Sequence, residues 1–299
     1  MSVARQKPTD ELAILYTRFL EQHSEEWRTR FIAVCRERAR QIALLNKQGV
    51  RTVADLLSRL PCLSPKLKMF GIELTWLLKI RQAVPVLLEV LLEPKADRAL
   101  RITCAFALYM LKAGKTTTRV FVGIGKRELR SDAPDCNWLE AVIHGLGAPD
   151  DQQAIELLVS IFERVDLPGS LRGDAADKLG CVGRVSDRRT GLFRRCRDAA
   201  MRGLTDDSIH VRFWSMYLIG SLCSDYRSRR GPRITGFESV LPRLREIAAT
   251  DQRLAPGYWW PMSGEAEDVI VCIENGGWRD PEAAERYPLN SKRGVDGPD

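Results

Sequence analysis

The sequence predicts an all-α protein, a right-handed α-solenoid of paired helices that follows an N-terminal helical region. The first observation is a recurring pattern of one arginine, two central residues that are mostly small, an apolar residue and a glycine. It spans Arg172–Gly180, returns at Arg212–Gly220 and has a looser copy at Arg101–Leu108. The second observation is the spacing of the copies. Their apolar positions 108, 179 and 219 lie 71 and 40 residues apart, which fits a unit of about 35–40 residues if the longer step covers two units. The third observation is that the chain has little of the alternation that is typical of strands.

Composition supports a folded core and argues against several classes of protein. The chain has 299 residues, of which 44% are hydrophobic and 28% are charged, a balance unlike that of disordered chains. The apolar stretch Ala83–Leu92 contains Glu89 and is too short to cross a bilayer. Residues Met1–Asp10 lack the apolar region of a secretory signal. We therefore expect a cytoplasmic protein. The eight cysteines include no Cys-x-x-Cys pair, so we expect no zinc site, and we expect no disulfide framework in a chain of this length.

Residues 1–80 form the predicted N-terminal helical region. Apolar residues recur with helical spacing over residues 10–46. Thr52 is followed three positions later by Asp55, a close relative of a capping box, and this pair predicts a helix over Val53–Leu60.

The predicted repeat region covers residues 81–278. It begins with a helix that carries Pro85 in its first turn, where the missing N–H group is harmless. Residues 114–135 interrupt the pattern, and we expect an irregular insertion there, either a loop or a short β-ribbon. Residues 279–299 are rich in proline, glycine and charge and predict a frayed tail. The later predicted helices are Asp97–Ala113, Asn137–Gly147, Asp150–Val165, Leu171–Val182, Thr190–Leu204, Ser208–Cys223, Phe237–Thr250 and Ser263–Gly276.

Four segments carry a resemblance to a known family. They are Ala83–Leu87, Asp174–Gly180, Val211–Gly220 and Trp260–Asp268. They resemble the HEAT-repeat superfamily, in particular its bacterial, phycobilisome-lyase-like variety, over about two-thirds of the chain. The resemblance implies that the proline, arginine, alanine and glycine of the pattern shape turns and close helix packing. It implies little about function, because this superfamily includes scaffolds, chromophore lyases and DNA-binding proteins.

Motifs of catalysis and nucleotide binding fail on spacing. Gly114-Lys115-Thr116 would need a glycine at position 109 to form a Walker A loop, and that residue is Tyr109. Gly123-Ile124-Gly125 lacks the third glycine of a dinucleotide fingerprint, because position 128 is Glu128. The three histidines have no His or Cys at metal-ligand spacing. The sequence therefore predicts no catalytic residue, no metal site and no cofactor.

The charge of the chain is distributed unevenly. Twelve arginines face five aspartates between Arg184 and Arg233, whereas four arginines face ten acidic residues between Glu238 and Glu285. These residues are either ordinary solvated helix faces or a polarised binding surface. The preference for arginine favours bidentate contacts with carboxylate or phosphate. The candidate binding residues are Arg188, Arg189, Arg194, Arg195, Arg202, Arg227, Arg229, Arg230 and Arg233.

Tyr258-Trp259-Trp260 adds an aromatic candidate. Three adjacent large rings after Pro256-Gly257 cannot all point inward. Either they cap the end of the solenoid, or Tyr258 and Trp259 belong to a binding surface.

Together these observations predict a non-catalytic interaction module or scaffold that binds an acidic surface of a partner protein. The alternative is a solenoid that binds nucleic-acid backbone, as in HEAT-like DNA-repair proteins. If duplex DNA engaged five arginines, log K would fall against log salt with a slope of roughly −4 to −5.

Overall fold

In a computed structural model of the chain, most of the described residues lie in helices. The structure describes residues 10–23, 25, 29, 31–182, 191–223, 236–255, 257 and 260–275. Within those ranges the chain forms fourteen α-helices and no β-strand, with one isolated bridge between Leu254 and Pro261. The all-α prediction is confirmed. Among the described helices, none combines the length and apolar character needed to cross a bilayer.

The helices are numbered here in chain order. They are α1 Glu11–Glu21, α2 Ile32–Lys47, α3 Val53–Arg59, α4 Pro65–Leu77, α5 Val84–Leu92, α6 Arg98–Met110, α7 Lys115–Arg130, α8 Cys136–Leu146, α9 Gln152–Glu163, α10 Gly169–Gly180, α11 Gly191–Gly203, α12 Ile209–Cys223, α13 Leu241–Thr250 and α14 Met262–Asn275.

Side-chain caps explain where several helices begin. The predicted capping box at α3 is present, because the Thr52 hydroxyl accepts from Asp55 N–H at 3.1 Å and the Asp55 carboxylate accepts from Thr52 N–H at 3.0 Å. Asp97 accepts from Leu100 N–H at 2.8 Å and caps α6. These bonds satisfy N–H groups that have no partner within their own helix.

The expectation for residues 114–135 is wrong. In place of a loop or a β-ribbon, residues 115–130 of this segment form the continuous helix α7, and residues 131–135 are non-helical. Phe121 and Ile124 are buried one helical turn apart, whereas Gly123 faces open space. A glycine inside a helix costs only about 1 kcal/mol, and burial of this apolar face outweighs that cost.

The chain divides into two compact units, which are described separately here. The first consists of Met1–Phe121 and Glu140–Gly145, and the second of Val122–Leu139 and Leu146–Asp299. The predicted boundary at residue 80 falls inside the first unit. The predicted tail, 279–299, belongs to the part of the chain that the structure does not describe.

In the first unit, α4 and α6 end with the same backbone geometry. Ile80 N–H donates to Thr75 C=O at 2.7 Å, and Ala113 N–H donates to Leu108 C=O at 3.1 Å. The residue before each donor is a lysine in the left-handed region, with φ 56° at Lys79 and φ 50° at Lys112. This is the helix ending at which glycine is usual.

Lys112→Gly is expected to stabilise the protein by about 1 kcal/mol, because a side chain in the left-handed region costs about 1–2 kcal/mol. Urea unfolding followed by circular dichroism measures the change. The control Lys126→Gly, in the interior of α7, should destabilise by about 1 kcal/mol. Loss of stability in Lys112→Gly would contradict the prediction.

In the second unit, three helix pairs contact each other in succession. The pairs are α9 with α10, α11 with α12, and α13 with α14. Between pairs, α9 contacts α11, while α10 contacts α12 and α12 contacts α14. Glycines allow the close approach of α10 to α12, since a Cβ at Gly173 would lie 2.2 Å from the ring of His210 and one at Gly180 would lie 2.5 Å from Tyr217.

A buried ion pair also links α10 to the turn before α12. Arg172, the first residue of the repeated pattern, donates to both carboxylate oxygens of Asp206 at 2.6 and 3.0 Å. Its Nε donates to Leu167 C=O at 3.2 Å, and only 8% of Arg172 is exposed. The pattern arginine therefore has a structural role that joins two consecutive helix pairs.

Candidate binding groove of the second unit

A groove of about 540 Å³ lies between α7, α9 and α11 in the second unit. Its walls come from three separate stretches of sequence. The lining residues are Lys126, Leu129, Arg130, Glu156, Leu157, Ser160, Glu163, Arg164 and Arg195.

Helical spacing brings these side chains to the groove. Glu156, Ser160 and Glu163 lie at positions i, i+4 and i+7 of α9, which form one face of a helix. Lys126 and Arg130 lie four residues apart on α7 and are both exposed. The groove thus exists only because residues 115–130 are helical.

The lining combines excess positive charge with apolar surface. Four of its residues are basic and two are carboxylates, so its formal charge is +2. Leu157 is buried and Leu129 is half-buried. A groove of this kind complements a segment that carries both acidic and apolar side chains.

Glu163 holds two of the candidate arginines. Arg195 donates through Nε and Nη2 to Glu163 Oε2 at 2.8 and 2.5 Å, and through Nη2 to Ser160 Oγ at 3.1 Å. Arg202 donates to Glu163 Oε1 at 3.1 Å. One carboxylate therefore accepts hydrogen bonds from two guanidinium groups.

Arg164 is also compensated within the chain. It donates to both oxygens of Asp166 at 2.6 and 2.7 Å and to Leu129 C=O at 2.7 Å. The hydrogen bond from Arg164 lowers the pKa of Asp166, so this carboxylate is charged at neutral pH. Arg164 therefore contributes little free positive charge to the groove.

Lys126 and Arg130 differ from Arg164 and Arg195 because their charge is not compensated by a carboxylate among the described residues. The Lys126 ammonium donates to the neutral Gln153 amide at 3.3 Å. Within the described residues, neither Lys126 nor Arg130 forms an ion pair. They are the lining cations whose charge is available to a ligand.

The structure describes three of the predicted binding residues. Arg194, Arg195 and Arg202 are exposed on α11, as predicted, but Arg195 and Arg202 share Glu163. The other predicted candidates, all outside the described ranges, are Arg188, Arg189, Arg227, Arg229, Arg230, Arg233, Tyr258 and Trp259.

Sequence reasoning missed the other half of the groove, Lys126, Arg130 and Arg164. The available signal was the four-residue spacing of Lys126 and Arg130, which is informative only once this segment is recognised as a helix. The role of Glu163 had no local signal, because its arginine partners lie 32 and 39 residues away along the chain.

The groove offers the chemistry of binding by charge and apolar contact. Burial raises the pKa of Cys196, beside Arg195 in the sequence, to about 12. Its thiol is therefore protonated at neutral pH and is a poor nucleophile. Among the described residues, no three His, Cys, Asp or Glu side chains form a group that could hold a metal ion.

Comparison with known proteins gives no relative. The chain matches no protein-family model, no curated protein and no solved structure. The resemblance to HEAT repeats stays a prediction that rests on the segments quoted above.

Proposed function

We propose that this chain is a non-catalytic interaction module that binds an acidic segment of a partner protein in the groove between α7, α9 and α11. One observation carries the proposal. Two uncompensated cations, Lys126 and Arg130, share the groove with the apolar side chains of Leu129 and Leu157. Acidic side chains of the partner would contact Lys126 and Arg130, and an apolar side chain would contact Leu129 and Leu157.

The proposal includes a HEAT-like, right-handed solenoid as the fold. The contacts between successive pairs from α9 to α14 support it, as does the Arg172–Asp206 link between pairs. The matching ends of α4 and α6, at positions 79 and 112, support helical pairs in the first unit as well. Each such pair buries its apolar face only against its neighbours.

The charges that line the groove favour an acidic protein segment over nucleic-acid backbone as the ligand. Glu156 and Glu163 lie in the groove and repel any anion, and the repulsion is greater for duplex DNA, with one negative charge per about 1.7 Å of axis, than for a peptide whose acidic residues are separated by apolar ones. If Lys126, Arg130 and the one net charge of the cluster of Glu163 with its two arginines contacted phosphates, the slope of log K against log salt would be about −3, less steep than the −4 to −5 expected for five arginines. Duplex DNA should therefore bind weakly.

Binding of a short fluorescein-labelled peptide that alternates glutamate and leucine, followed by anisotropy, tests the proposal. We expect the wild type to bind and the double variant Lys126→Glu/Arg130→Glu to lose about tenfold or more in affinity, because like charges across an interface cost several kcal/mol.

The matched control is Lys115→Glu/Arg119→Glu. It makes the same charge change at the same spacing on α7, at exposed residues that do not line the groove. Equal losses in both double variants, or no binding by the wild type, would refute the proposal. Preferential binding of duplex DNA with a slope of about −4 to −5 would establish the nucleic-acid alternative instead.

A further inference from the structure

We propose that Glu163 determines which class of polyanion the groove accepts. By accepting hydrogen bonds from Arg195 and Arg202 it offsets one of their two positive charges and disfavours nucleic-acid backbone, while Lys126 and Arg130 remain available to an acidic peptide. This inference rests on the proposed function and names the residue that decides between its two ligand classes.

The geometry places Glu163 as an internal substitute for a ligand carboxylate. Both of its oxygens accept from arginine, with three guanidinium N–H donors at 2.5–3.1 Å. Glu163 is less exposed than its partners, at 24% of its side chain against 41% for Arg195 and 65% for Arg202. The carboxylate thus lies beneath two guanidinium groups that face solvent.

The position of Glu163 in its helix also indicates that residues outside α9 stabilise its charge. It is the last residue of α9, where the partial negative charge of the helix end disfavours a carboxylate. Nothing in α9 itself therefore stabilises the charge of Glu163. Its stabilisation comes from Arg195, Arg202 and the ordering of Arg195 by Ser160.

The consequence for ligand choice follows from the density of charge on each ligand. Duplex DNA carries one negative charge per about 1.7 Å of axis and engages every free cation in reach. With glutamate at position 163, the free positive charges are those of Lys126 and Arg130 plus one net charge of the cluster that Glu163 forms with Arg195 and Arg202. With glutamine there, the free positive charges in and beside the groove rise from three to four. A peptide whose carboxylates alternate with leucines uses fewer cations and gains less from the additional one.

Glu163→Gln tests the inference with a labelled DNA duplex over a range of salt concentrations. We expect the slope of log K against log salt to change from about −3 to about −4, because the one arginine charge that Glu163 offsets becomes available and each additional phosphate contact adds about −0.9. Duplex affinity at low salt should rise at least tenfold. Affinity for the glutamate–leucine peptide should change less than about threefold, a difference of under 1 kcal/mol.

Two control variants isolate the cause. Glu156→Gln removes the same charge from the groove without releasing an arginine, because Glu156 accepts from the amide of Gln152 at 2.7 Å. Glu246→Gln releases Arg243 on α13, where neither residue lines this groove. Neither should steepen the slope by a full phosphate contact. Adding Arg195→Gln and Arg202→Gln to Glu163→Gln should reduce the slope to about −2.

The outcomes separate this inference from the proposed function. An unchanged slope in Glu163→Gln overturns the inference, and the proposed function stands if the wild type still binds the peptide through Lys126 and Arg130. A steeper slope without peptide binding by the wild type overturns the proposed function and leaves Glu163 as the group that disfavours phosphate. Equal gains for peptide and duplex also overturn the inference, because selectivity would be unaffected.

Discussion

Replacing Arg172 by methionine is expected to destabilise the protein by about 3 kcal/mol. The change preserves most of the side-chain volume but leaves the half-buried Asp206 with the N–H of Ser208 as a donor and without its bidentate arginine. Removing one partner of a buried ion pair costs about 3–5 kcal/mol. The lower end applies because the side chain of Asp206 is 16% exposed. Urea unfolding at neutral pH measures the loss.

The pH dependence of this loss of stability tests whether it comes from the ion pair of Arg172 with Asp206. Burial raises the pKa of Asp206, but the hydrogen bonds from Arg172 and Ser208 outweigh it, and the pKa is lowered overall. A lowered pKa in the folded state means that the stabilisation is present above the unfolded pKa, about 3.9, and is lost as pH falls through the folded pKa. The difference between wild type and Arg172→Met should therefore shrink in acid.

A matched control is Arg243→Met, which breaks a partly exposed i,i+3 pair with Glu246 in the same unit. It should change stability by no more than about 0.5 kcal/mol. A loss below about 1 kcal/mol in Arg172→Met, or one that stays constant in acid, would contradict the role of the buried pair.

Phe121→Ala is expected to destabilise by about 3–5 kcal/mol, because the ring is fully buried and its removal leaves a cavity. The ring packs against Gly145 of α8, where an added Cβ would lie 2.2 Å from the ring. In the wild-type background, Gly145→Ala should therefore destabilise by about 1–2 kcal/mol through overpacking.

The same Gly145→Ala substitution should reverse its sign when Phe121 is alanine. The Cβ then has room, and alanine is favoured over glycine in a helix by about 1 kcal/mol. A double-mutant cycle measured by thermal unfolding gives the coupling between the two positions. Additive effects would show that α7 and α8 do not meet at this contact.

The helices were predictable where one local pattern determines them. Thr52 and Asp55 are three residues apart, so their capping box is visible in the sequence and is present in the structure. The pattern that begins at Arg172 likewise predicted a helix with a close neighbour. The helix at 115–130 was not predicted, because Gly123 and Gly125 lie in its interior and glycine disfavours a helix interior.

The groove was only half predictable. The exposure of Arg194, Arg195 and Arg202 follows from the apolar stripe on α11, which a helical projection reveals. Their pairing does not follow from it, because Glu163 belongs to another helix. Free and compensated arginines are indistinguishable in sequence, and only packing between helices separates them.

The course of α7 and α8 has a consequence for how this chain can be divided. Boundaries between compact units usually fall in exposed linkers, yet the three crossings, at 121/122, 139/140 and 145/146, all lie inside these two helices. A cut at any crossing would strip backbone groups of their helical partners. Neither half is therefore a portable module, and gene fusion, recombination or truncation at these sites would have to rebuild a helix.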